Sequence, residues 1–219
     1  MCFSAEADLV SGVIVGVVAI DAIRHAHRPS LLLLAALPGV FAAHQLVEAV
    51  VWLGLDGRLA DAVVRPAAWV YLAIAFGVLP VLVPTAVRSI EPGSNPRINA
   101  LVAATGIAAA TVLMYSLVRG PVEATIEGHH IAYRVELWHG GLIVALYVIA
   151  TCGALLVSSD RDVRRFGATN VVAVVLLAWL DQSAFISLWC TWAALTSLLI
   201  AMHLRKIAAT PTPMLVHAS

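Results

Sequence analysis

Long apolar runs recur along the chain with little between them: about 8 to 24, 31 to 54, 66 to 87, 98 to 118, 136 to 157, 166 to 182 and 185 to 204. Crossing a hydrocarbon core of about 30 Å takes about 20 helical residues, so each run reads as a membrane-spanning helix. The pattern predicts an all-α, polytopic transmembrane bundle of seven helices, or six if the last two runs do not both cross. Residues 1–207 form one membrane domain on this reading, and 208–219 a disordered cytoplasmic tail. Between the sixth and seventh runs stand only Asp181, Gln182 and Ser183, so a tight helical hairpin is expected there.

Interruptions in the pattern refine the picture. Val122 to Val135 partly alternates apolar and polar residues around Glu127-Gly128, the signature of a β-hairpin that would lie as a lid over the bundle; a solvated loop is the alternative. Gly12 and Gly16 form a GxxxG in the first helix, and Ala103, Ala104, Gly106 and Ala108 to Ala110 give the fourth a small-residue surface, both suited to close helix packing. Pro38, Pro80 and Pro84 remove backbone donors from the second and third helices and should kink them.

Composition agrees with the pattern: 61% of the 219 residues are hydrophobic and 12% charged, with a mean hydropathy of +0.94, which excludes an ordinary soluble domain. Net charge is zero, so nucleic acid is not an expected partner; the lipid bilayer is, with a homo-oligomer or a membrane complex as further partners. Glu6 and Asp8 precede the first run where a cleavable signal would be basic, so that helix is expected to be retained. With seven helices, one side receives Arg24, Arg28, Arg88, Arg97, Arg161, Arg164, Arg165, Arg205 and Lys206, and the other only Arg58, Arg65, Arg119 and Arg134. Positively charged loops stay cytoplasmic, which sets the N-terminus outside and the C-terminus inside. The excess of arginine over lysine suggests a GC-rich bacterial genome, and so the bacterial inner membrane.

The chemistry concentrates in the second helix, at His44, Gln45, Glu48 and Trp52. A carboxylate at a helix centre costs about 2.5–3.5 kcal/mol on insertion scales, so Glu48 should face the bundle interior and have a partner. His44 and Glu48, four residues apart, share a face that Trp52 continues one turn further out, with Gln45 on its flank. This stripe can handle a proton, bind a ligand, or hydrogen-bond one helix to another. At comparable depth the topology sets Cys2, His139, Asp181, Gln182, Trp189 and Cys190. Removal of Met1 would expose an amine beside the Cys2 thiol, and with Cys190, His44 or Glu48 that pair could hold copper or zinc; a Cys2–Cys190 disulfide is the alternative. Haem is a weaker fit, since His44 and His139 differ in depth. Retinal is excluded: Lys206, the only lysine, lies at the cytoplasmic end of the last helix. Asp21 is expected to pair with Arg24 or His25, and His203 to cap or snorkel.

The opening Met1-Cys-Phe-Ser-Ala5, the Gln45-x-x-Glu48-x-x-x-Trp52 pattern, Pro80 with Pro84, Ser158-Ser159 with Phe166-Gly167, and Ser187-Leu-Trp-Cys190 together resemble an uncharacterised family of small bacterial multi-spanning membrane proteins that begin Met-Cys-Phe-Ser-Ala. The resemblance implies an inner-membrane protein with Cys2, Gln45, Glu48, Trp52, Trp189 and Cys190 as positions of interest. The chain departs from that pattern at His44, where Gln is expected, and at Ala49, where Gly is. The leading expectation is a bundle that binds a small ligand, cofactor or metal in a buried polar pocket in its outer half, for sensing or redox work. A proton-coupled transporter using Glu48 and a structural subunit of a membrane complex are the alternatives, and the sequence does not decide whether the chain is an enzyme.

Overall fold

A computed structural model describes residues 4–91, 95–128, 130–137, 139–180 and 185–209; for 177–180 and 185–191 it describes the backbone alone. Among these residues there are seven helices and one β-hairpin. Helix α1 is Ala5–His25 and α2 is Leu32–Leu55. Helix α3 runs through Val64–Ala73, a π segment Ile74–Val78 and Leu79–Ile90. Helix α4 is Pro96–Arg119, and α5 is Gly140–Val148 continued by a π segment Ile149–Gly153 and Ala154–Leu156. Helices α6, Arg161–Leu180, and α7, Phe185–Ala209, complete the bundle. Helices spanning Pro29–Leu55, Asp61–Ile90 and Pro96–Arg119 are long and apolar enough to cross a membrane.

Local signals set the boundaries. Ser4 Oγ accepts the Ala7 N–H at 3.2 Å and opens α1; Asn95 does the same for α4, with Pro96 following. Asp160 Oδ1 accepts from the amides of Asp162 and Val163, so α6 begins at Arg161, five residues before its apolar run. Conversely α5 starts at Gly140, not at 136, because strand pairing extends to Val135.

The GxxxG of α1 pairs it with α2. A Cβ on Gly12 would stand 2.8 Å from the Leu46 side chain, while Gly16 lies against Ala42 and Gly39 against Ala19. The expected kink in α3 takes a specific form. Pro80 has no N–H for the Phe76 carbonyl, and there the ladder widens into the π segment Ile74–Val78. Pro84 likewise leaves the Pro80 carbonyl without its helical donor, and Gly106 of α4 packs directly on that carbonyl oxygen.

Strands β1, Val122–Glu127, and β2, His130–Val135, pair antiparallel from Val122↔Val135 to Glu127↔His130. The hairpin turns at Gly128, whose φ of +62° suits glycine. It lies over one end of the bundle as a lid, with Ile131 buried against Ala5, Val51, Trp52 and Ala68. The largest core cluster lies toward the opposite end, where Leu34, Leu37, Val83, Val87, Leu155, Ile200 and Leu204 meet.

At that opposite end, Glu91 closes α3 onto the turn before α6. Its carboxylate accepts from Ser158 Oγ, from the Ser159 amide at 2.6 Å and hydroxyl, and from the Asp160 amide at 3.3 Å. Partial burial alone would raise this carboxyl, but the donors outweigh it and hold Glu91 below its ordinary value. Arg205 grips Asp21 with bonds of 2.7 and 2.8 Å, so the main partner of Asp21 is Arg205, with His25 at 3.6 Å. Around the bundle an apolar surface faces outward, for example Val17 (63% exposed), Leu101 (67%) and Val118 (67%).

Candidate functional site

The polar stripe of α2 is buried throughout: His44, Gln45, Glu48 and Trp52 are each at most 6% exposed. Helical spacing turns them inward together, as the sequence indicates. Gln45 and Glu48 are each only 1% exposed. In the antiparallel register set by Gly12 on Leu46 and Gly16 on Ala42, Asp8 comes to the level of Glu48 to Val50, and Asp8 is itself fully buried. None of the three is isolated. Trp52 packs under the hairpin against Ile131 and Ala68, and its Nε1 makes no hydrogen bond among the described residues.

His44 meets α3. Its ring stacks on Tyr71, centroids 3.8 Å apart, and Tyr71 stacks on Tyr133 of β2 at 4.6 Å. Three elements therefore contribute one aromatic column, with the hairpin supplying its top. Beside it opens a cavity of about 280 Å³, walled by His44, Tyr71, Phe76, Leu113, Tyr147 and Thr151 and closed at the hairpin end by Tyr133, Val135 and Leu137. Ala75 and Phe76 come from the π segment of α3 and Thr151 from that of α5. A π segment re-aims side chains by widening the turn, and here both such segments among the described residues border the same space.

The walls are mostly apolar. Thr151 spends its hydroxyl on the Tyr147 carbonyl at 2.9 Å. The imidazole of His44 hydrogen-bonds to the main chain of Tyr71, while its Nε2 is buried with no hydrogen-bond partner among the described residues. Leaving a polar atom without a partner costs about 1–3 kcal/mol, so an imidazole held this way on a cavity wall is a feature that a bound group would satisfy. Val144 of α5 borders the cavity and is itself 55% exposed.

The other expected site residues fall elsewhere. His139 is exposed at the residue before α5, with a left-handed φ of 50°, apart from the stripe. Cys2, Asp181 and Gln182 lie outside the described residues; the backbone of α7 runs through Trp189 and Cys190, whose side chains also lie outside them. Among the described residues, the group that could hold a metal is Asp160, Asp162 and His203 at the end opposite the hairpin, and Asp162 is already bonded to Lys206 at 2.7 Å. Its carboxyl is held low chiefly by that lysine. Sequence reading missed Tyr71, Tyr133 and Asp8. Asp8 had a signal: it stands four residues before Gly12 and eight before Gly16, on the face that packs against α2.

A family of unknown function, DUF6629, matches residues 1–214. The chain belongs to this family. It agrees with the expectation of an uncharacterised family, and covers the hairpin, both π segments and all of the cavity wall. No curated protein and no solved structure matches the chain.

Proposed function

We propose that this member of the DUF6629 family is an integral protein of the bacterial inner membrane that takes a small, largely apolar molecule from the bilayer into the cavity beneath the hairpin. The observation that carries the reading is the buried Nε2 of His44, without a partner among the described residues, on the wall of an otherwise apolar space. A dry apolar cavity of roughly 150 Å³ accepts a benzene-sized guest, and pockets for small molecules combine apolar walls with few polar groups.

The membrane setting is supported by the three long apolar helices and by the outward apolar surface, which in water would be an aggregation hazard. Orientation with the N-terminus and hairpin outside rests on the nine-to-four split of basic residues. A second reading, proton-coupled transport, is favoured by one observation: Asp8 joins Glu48 as a second fully buried carboxyl at the same level of the α1–α2 pair.

The test of the first reading is stabilisation by an aromatic probe. A guest that binds only the folded state stabilises it by about 2.7 kcal/mol at a hundredfold excess over Kd. In detergent, 2-methylnaphthalene should raise the melting temperature of the wild type clearly more than that of Ala75→Phe, whose added ring takes up part of the cavity. Equal shifts in both proteins would locate the effect in the micelle and refute the reading.

A further inference from the structure

We infer that the guest of this cavity is a hydroxyl-bearing aromatic of one substituted or two fused rings, a phenol or hydroquinone, which donates its O–H to Nε2 of His44. The inference rests on the binding reading above and narrows it to a chemical class.

Size comes first. At about 280 Å³ the cavity is nearly twice the roughly 150 Å³ that holds a benzene ring, so it admits a compact ring system and not an extended chain. Shape follows from the walls: Tyr71, Phe76, Tyr133 and Tyr147 border the space, and aromatic faces favour a planar guest in offset or edge contact.

The hydrogen-bond sense follows from the backbone. Tyr71 lies inside the regular part of α3, Val64–Ala73, where its main-chain N–H belongs to the helix ladder; what Tyr71 can offer the imidazole is its carbonyl, through a spare lone pair. Since Nε2 has no partner among the described residues, Nδ1 is the nitrogen that meets this carbonyl, and it must carry the proton. In the neutral imidazole the other nitrogen then holds a lone pair. Nε2 is accordingly an acceptor, and the group that satisfies it is a donor. A quinone or an ether, with acceptors only, would set lone pair against lone pair and be disfavoured. The π segment of α3 begins three residues after Tyr71, so the bond that orients His44 is anchored where that helix departs from regular geometry.

The experiment compares three probes of nearly one shape on the full chain in detergent: 2-naphthol with a donor, 2-methoxynaphthalene with an acceptor only, and 2-methylnaphthalene with neither. Affinities are measured by calorimetry on the wild type, His44→Phe and Ala75→Phe, with circular dichroism to check folding. A satisfied buried hydrogen bond should make 2-naphthol bind the wild type about tenfold more tightly than the other two. His44→Phe should erase that preference while still binding all three. Equal affinities in the wild type, or tighter binding of the methoxy compound, would overturn the donor assignment while leaving the cavity reading intact. Absence of binding, or binding unchanged in Ala75→Phe, would overturn both.

Discussion

Replacing Gly106 by alanine tests how the proline-interrupted helix is built into the bundle. The added methyl would fall on the Pro80 carbonyl oxygen, 3.1 Å from the Pro80 carbonyl carbon and 3.4 Å from Ala150 Cβ. The first two obstacles are backbone, so no side chain can swing aside. Helices α3 and α4 would have to part, or the π segment shift. Alanine is worth about 1 kcal/mol over glycine in a helix, whereas overpacking typically costs about 1–3 kcal/mol, so the net effect is a loss. Gly77→Ala is the matched control, because its new methyl meets only the flexible Met114 side chain, with the sulfur at 3.0 Å. Thermal unfolding in detergent should show Gly106→Ala melting several degrees below wild type and Gly77→Ala much closer to it. If Gly106→Ala melted at or above the wild-type temperature, the close approach of α4 to the Pro80 carbonyl would be wrong.

Three further predictions follow from the polar contacts. Glu91 has a folded-state pKa below its ordinary value, so its contribution to stability is complete above the usual glutamate value of about 4.3 and is lost as pH falls through the lowered folded value; melting temperatures of wild type and Glu91→Gln should differ at pH 7 and converge in acid, and a gap that widened in acid would contradict this. Glu48→Gln should fold like wild type, whereas Glu48→Ala leaves its buried partners unsatisfied and should cost about 1–3 kcal/mol in thermal unfolding; equal stability of both would deny Glu48 a structural role. In a background with Cys2, Cys152 and Cys190 replaced by serine, an impermeant thiol reagent applied to intact cells should label Ala124→Cys in the hairpin and miss Arg161→Cys, and the reverse pattern would invert the topology.

Most of the helical frame is legible in the sequence because long apolar runs mark its helices, and the hairpin because alternation and Gly128 mark it. The inward turn of His44, Gln45, Glu48 and Trp52 follows from spacing alone. What spacing could not convey is which neighbour each residue meets. Tyr71 and Tyr133 are 62 positions apart in the chain and join His44 only through tertiary packing, so the aromatic column has no local pattern. Pro80 announces a disturbed ladder, but whether the helix bends or widens depends on what α4 and its Gly106 allow. His139 looks helical from the apolar run around it, yet strand pairing to Val135 consumes the residues that would have begun the helix earlier.

The central claim, that the cavity beneath the hairpin holds a small apolar molecule, is tested most directly by recovering that molecule. Wild type and Ala75→Phe would be purified side by side in a mild detergent, extracted with organic solvent, and the extracts compared by mass spectrometry. A compound recovered in stoichiometric amount from the wild type and in clearly smaller amount from Ala75→Phe is the predicted result. Identical extracts from the two proteins, after equal folding is shown, would contradict it.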